Sequence, residues 1–337
     1  MSVCQRTFRT LVLSGFIMIL CAGSLMAGMN VWTLSGLSDK TISCLAIDPS
    51  SPSTLYAGTY YGIFKTTDSG ATWYLTGMGN HDTLALAISP SDPSTVYAAT
   101  WGEGVFKSSD GGRNWKATGL ANADIDALSI DPLTPSTVYA GSNSEGIYKT
   151  TNGGRTWGFT GLANHFIFAL ANDPFTSSIV YAGTASEGAY KTTDSGETWN
   201  AINSGLTSTV VNAMAVDPSA PSTVYAGTEV GVFRTEDGGG SWNAVSKLMS
   251  DPDVSSLGID PSSPSTVYAG TFRAELYEGG VFKMTDGSGI WISTGLTFID
   301  VFSLVIAPTN PSSIYAGTDG GIWSITFAPH DRPVGRP

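Results

Sequence analysis

Cysteine is almost missing from this sequence. The 337 residues carry three, Cys4, Cys21 and Cys44, and the first two fall in a segment that reads as a removable leader. The chain beyond it keeps one thiol and cannot close an internal disulfide. Cys44 lies in the apolar run Ile42-Ser43-Cys44-Leu45-Ala46-Ile47, the setting of a buried, inert thiol. Histidine is as scarce: His81, His165 and His330 stand apart in sequence, and no zinc-ligand spacing occurs. Asp251-Pro252-Asp253 does not fit a calcium loop. No Gly-rich loop leads into a helix, so nucleotide binding lacks its context. No cofactor and no metal are expected. Charge is thin too, at 13% Asp, Glu, Lys and Arg, and its balance is −12. The balance becomes −14 once Arg6 and Arg9 leave with the leader. Such a surface repels phosphate backbones, which excludes nucleic acid as a partner.

Long apolar runs are missing with one exception. Residues 11–20 are apolar, follow Arg6 and Arg9, and precede the small residues Ala22, Gly23, Ser24, Ala27 and Gly28. The run is short for a bilayer span and has the layout of an export signal over residues 1–27. An uncleaved anchor is the alternative. A lipid attachment site at Cys21 is disfavoured by the bulky Leu20 before it. The expectation is a secreted or periplasmic protein with no membrane span after cleavage. Helical periodicity is absent, because no periodic stretch runs far without Pro or Gly.

What the sequence does have is glycine, 40 in all, and repetition. Thr95-Val96-Tyr97-Ala98 has counterparts around Tyr56, Tyr139, Tyr181, Tyr225, Tyr268 and Tyr315, with successive tyrosines 41, 42, 42, 44, 43 and 47 residues apart. A period in the low forties with four short strand signals is the length of one propeller blade. Each unit holds an apolar run such as Leu128-Ser129-Ile130-Asp131-Pro132, then Thr137-Val138-Tyr139-Ala140-Gly141, then Gly146-Ile147-Tyr148-Lys149-Thr150, then a strand opening at Trp157. Runs of this composition bounded by Pro, Gly, Asn and Asp are strands. Seven units are present, but only six have the fourth-strand Trp at the proper place. The seventh is Trp32, whose neighbours Thr33-Leu34-Ser35-Gly36-Leu37 match the residues after Trp115. The fold expected is all-β, a single seven-bladed propeller over residues 28–327. The N-terminal strand completes the last blade, which protects open edges. Residues 328–337 form a loose tail.

Between the third and fourth strands stands Thr66-Thr67-Asp68-Ser69-Gly70-Ala71-Thr72-Trp73, repeated around Asp110, Asn152, Asp194 and Asp237, and with Ser288 for Gly around Asp286. This turn resembles the Asp-box, or bacterial neuraminidase repeat. Asp or Asn can accept backbone N–H groups and hold a tight turn, Gly permits positive φ, and the Trp can bury a large ring. The acids of these turns are therefore structural, as are Asp48, Asp131, Asp173, Asp217 and Asp260 before proline.

Strand parity sorts the loops onto two faces. The Asp-Pro and Asp-box turns share one. The loops between second and third strands share the other with the blade-to-blade links, and this second face varies from copy to copy. Varied loops on a repeated scaffold are where function resides. The face carries Tyr60, Tyr61, Trp101, Glu103, Glu145, Glu187 and Glu229, with His81, Asp82, Asp124, His165, Asp253, Phe298 and Asp300 from the links. Blade 6 has an insertion there containing Phe272, Arg273 and Tyr277: its Tyr268-to-Phe282 interval is 14 residues, against 8 or 9 elsewhere. Aromatic platforms beside carboxylates suit sugars or cationic peptides. A solvated rim, alike because repeats copy one another, is the plainer alternative.

The resemblance extends to sialidases, xyloglucan-degrading hydrolases, sortilin-type receptors and a photosystem II assembly factor. Sialidases imply six blades and three substrate arginines. Here there are seven blades, and Arg113 and Arg155 lie in the repeated turns. The xyloglucan hydrolases imply two tandem propellers with an acid from each, whereas this chain supplies one propeller. Glu103, Glu145, Asp82 and Asp124 are placed for an acid pair, but nothing singles out two of them. The assembly factor implies an arginine patch that an acidic face does not supply. The expected function is a non-catalytic binding scaffold for a glycan or protein ligand, with no catalytic residue assigned. The alternative is a xyloglucanase-like glycoside hydrolase. Nothing in the sequence fixes an oligomeric state.

Overall fold

The computed structural model describes residues 31–246, 253–272, 279–308 and 313–327. Among them are 28 strands in seven four-stranded sheets, every neighbouring pair antiparallel, and no helix. Blade 1 runs Ile42–Ile47, Leu55–Thr59, Gly62–Thr66 and Tyr74–Gly79 from inside to outside. The first strands of successive blades touch in an unbroken circle, and Val301–Ile306 of blade 7 returns to Ile42–Ile47. The architecture is a seven-bladed β-propeller.

The sequence pattern explains the layering. Second strands such as Val138–Ser142 are buried at every residue and read as unbroken runs of small, β-branched and aromatic residues, as strands covered on both faces must. The tyrosine of each is buried between blades. In every blade but the second, where Ala99 stands, a glycine two residues after it lets the next blade approach. A Cβ on Gly141 would lie 2.6 Å from Ile167 Cγ2, and one on Gly317 would lie 2.7 Å from Ile42 Cγ2. The second of these contacts closes the ring from blade 7 to blade 1.

Closure also uses the chain start. Thr33–Gly36 pairs with Gly321–Thr326, Leu34 standing opposite Trp323. Trp32 is 8% exposed and its Nε1–H donates to Thr294 of blade 6 at 3.0 Å. Ser35 O accepts the indole N–H of Trp73 in blade 1 at 2.9 Å. Trp32 and the four-residue strand after it thus join three blades.

A lysine on the third strand of blades 1–4 clamps each to the next blade. Lys65, Lys107, Lys149 and Lys191 donate to Gly111, Gly153, Ser195 and Gly238 carbonyls of the next blade at 2.8–3.1 Å. Each ammonium also lies 4.9–5.4 Å from the ring centre of its own blade's tyrosine, within cation–π range.

Candidate functional site

The loops fall on two faces with different physics. On the repeated face the two turns of each blade are tied together. Gly111, Gly153 and Ser195 N–H groups donate to Ser94, Ser136 and Ser178 at 2.9 Å. Within the turn, Thr66 Oγ1 donates to Asp68 Oδ1 at 2.6 Å and accepts Gly70 N–H at 3.0 Å. Asp68 Oδ1 accepts Thr72 N–H at 2.9 Å. The same net forms at Asp110, Asn152, Asp194 and Asp237. Asp68, Asp110, Asp194 and Asp237 are held down at about 2, chiefly by hydrogen bonds from Thr66, Asn114, Thr198 and Thr235 respectively. Carboxylates so engaged fasten a turn and offer no free base.

The sequence pattern opens the outer strand at the Trp. In blades 1–5 the strand starts one residue later, at Tyr74, Lys116, Gly158, Asn200 and Asn243, two residues after the one whose N–H the turn's Asp or Asn accepts. Blade 6 differs. Met284 replaces the hydroxyl residue, so Asp286 accepts Ser288 N–H instead and has φ +83°. Ile290 N–H goes to Ser288 Oγ, and Trp291 joins the ladder opposite Met284.

On the varied face, the loops of blades 2, 3, 4 and 6 are stitched to the link entering the blade. Trp101, Asn143, Ala185 and Phe272 N–H groups donate to Asp82, Asp124, Phe166 and Asp253 carbonyls at 2.9–3.1 Å. Tyr60, Tyr61, Trp101, Phe166 and Phe298 are 44–67% exposed there, and Tyr60 meets Tyr61 edge-on at 5.3 Å. Glu103 pairs with His81 at 3.0 Å. Glu145 accepts Tyr148 O–H at 2.7 Å, which drives that phenol up to about 12. Glu187 accepts Tyr190 O–H at 3.1 Å and meets His165 Nε2 at 2.9 Å; the Tyr190 bond, then His165, lowers its carboxyl. The three glutamates follow one another in blades 2, 3 and 4, each with its own partner. Phe272 packs on Phe302 at 5.2 Å. Arg273 and Tyr277 lie outside the described residues.

His81 and His165 are isolated in sequence but each meets a glutamate in space, because the link folds back over the loop 22 residues later. Asp126 is a residue that sequence reasoning missed. Every first strand carries a β-bulge after its first residue. The bulged residues are Ser43, Leu84, Asp126, Phe168, Asn212, Ser255 and Phe302, all half-buried. Bulges re-aim side chains, and these seven differ while their neighbours repeat. That contrast was the available signal. Asp126 accepts a hydrogen bond from Asn143 Nδ2. Burial pushes its carboxyl up to about 6, and the nearby Asp124 adds to the rise.

A groove of about 790 Å³ lies elsewhere, between blades 1 and 2 on the repeated face, lined by Asp48, Tyr56, Lys65, Tyr74, Asp110 and Arg113 among others. Another of about 690 Å³ opens between blades 2 and 3 beside Lys107, Asn152 and Arg155. Both are gaps between copies of the same turn. Among the described residues no group of His, Cys, Asp and Glu is placed to hold a metal, and no helix is long and apolar enough to cross a membrane.

No protein-family model matches this sequence, and no curated protein matches it. Solved structures share its fold. The GH74 xyloglucanase from Xanthomonas campestris is 16% identical over 90% of this chain, with a TM-score of 0.71. A GH74 enzyme from Niastella koreensis is 19% identical over 85%, with a TM-score of 0.68. This chain spans 54% and 52% of those two enzymes. YCF48 from Cyanidioschyzon merolae is 13% identical over 89% of this chain and 99% of its own, with a TM-score of 0.65. YCF48 is also known bound to a D1 peptide. At these identities the likeness establishes the propeller and nothing finer.

Proposed function

We propose that this is an Asp-box propeller, exported by residues 1–27, whose varied face binds a glycan or protein partner without transforming it. One observation carries the reading. The repeated face spends its polar groups inside its own turns, whereas the varied face leaves Tyr60, Tyr61 and Trp101 more than half exposed. Phe175 and Leu133 on the repeated face are as exposed, but the varied face groups five aromatics, Tyr60, Tyr61, Trp101, Phe166 and Phe298, and grouped exposed aromatics mark recognition surfaces. YCF48, a single propeller of this size, is seen with a peptide, which favours a scaffold role. A glycan array and a pull-down with the exported protein test it. Joint replacement of Tyr60 and Trp101 by Ala is expected to abolish capture, and undiminished capture would remove the face from consideration.

A glycoside hydrolase is the second reading, and Asp126 is its specific support. A carboxyl raised to about 6 by burial is suited to general-acid work, and the GH74 neighbours supply the analogy. Reducing-end release from a panel of β-glucans, lost in Asp126→Asn, is the result this reading requires.

A further inference from the structure

We propose that the varied face docks a basic polypeptide segment, its lysine or arginine side chains meeting the carboxylates of blades 2–4 and its apolar side chains covering Tyr60, Tyr61 and Trp101. This rests on the reading of that face as the binding face. Two observations lead to it. The first is the aromatic exposure, at 67%, 56% and 54% for these three residues. They stand on adjacent blades, at the loops after the second strands. Apolar rings of this size want a partner with apolar side chains of its own.

The second observation is how charge is sorted between the two ends of the ring. Among the described residues, the loops and links of the varied face and the bulges beneath them carry eleven carboxylates and one cation, Lys40. The remainder carries thirteen carboxylates and nine cations. The fold itself causes the imbalance. Lys65, Lys107, Lys149 and Lys191 are drawn to the repeated face by the carbonyls of neighbouring turns, and Arg113 and Arg155 lie in those turns. On the varied face Glu103, Glu145 and Glu187 take hydrogen bonds from His81, Tyr148 and Tyr190, which orient them without adding a lysine or arginine. A neutral sugar gains nothing from an acidic excess of this size. A cationic chain gains both steering and contact.

The test uses the exported protein and three probes: a short labelled peptide of Lys, Ser and Trp, its Glu-for-Lys counterpart, and a xyloglucan heptasaccharide. Two double variants make the same charge change, Glu103→Gln with Glu187→Gln on the varied face, and Glu197→Gln with Glu236→Gln on the repeated face. The lysine peptide is expected to bind, steeply weakened by salt, and the glutamate peptide not to bind. The varied-face pair and Trp101→Ala should each weaken the lysine peptide about tenfold, and the repeated-face pair less than about twofold. Equal weakening by both pairs would mean attraction to net charge alone and would overturn the proposal. Binding of the heptasaccharide in a Trp101-dependent manner, with the lysine peptide unbound, would overturn it and leave the binding face standing. Failure of every probe would overturn both.

Discussion

Asp68 and Asn152 hold the same turn with different chemistry. Each side-chain oxygen accepts the N–H four residues on, at 2.9 and 3.0 Å, so the net needs an acceptor but no charge. The charge brings pH dependence instead. Carboxyls lowered to about 2 in the folded state contribute stability that is full above the unfolded value near 4 and drains away as pH falls through about 2. Asp194→Asn should therefore fold normally. Its deficit against the parent, read from urea midpoints, should close between pH 5 and pH 2, and a deficit constant in pH would contradict the assignment. Asp126 has the opposite sign. Its proton is held to about 6 but leaves the unfolded chain near 4, so stability falls as pH rises between those values. Asp126→Asn should match the parent near pH 3 and exceed it at pH 7. A variant less stable than its parent at pH 7 would show that the ionised carboxylate is supported there.

At the scale of strands, most of the fold was legible. The Val-Tyr-Ala-Gly runs repeat, and their composition suits only strands covered on both faces. Parity then assigned Tyr60, Trp101 and the glutamates to one end of the blades. Three features were not legible. The bulge shifts register by one residue and leaves no mark but the variation at that position among repeating neighbours, so Asp126 passed for an ordinary strand residue. The outer strands of blades 2, 4 and 5 shrink to two residues each, while those of blades 1 and 3 keep six and four after the same turn. The His81–Glu103 pair depends on how a link folds back, which no local pattern encodes. Contacts between sheets lie at this scale too. Lys149 Nζ donates to Ser195 O at 2.8 Å beside Tyr139, whose hydroxyl reaches the same carbonyl at 3.0 Å. Lys149→Met should cost about 1–2 kcal/mol in urea unfolding, and Lys116→Met, on an exposed edge, should cost nothing measurable. Equal values for the two would remove the clamp.

At the scale of the molecule, seven similar sheets have no stable end until the first meets the last. The ring makes both faces: it gathers the varied loops at one end and, among the described residues, leaves one cation there and nine elsewhere. Its seam is held by Thr33–Gly36 against Gly321–Thr326, by Trp32 on Thr294, and by Ile42 against Gly317. With three blades sharing that seam, opening it should loosen all of them together. The decisive measurement is thermal unfolding of the protein from residue 28 on against a form lacking residues 28–37. A closed ring predicts a fall in Tm of roughly 10 °C or more, with blades 1, 6 and 7 losing amide-exchange protection together. An unchanged Tm, with protection intact in those blades, would contradict closure.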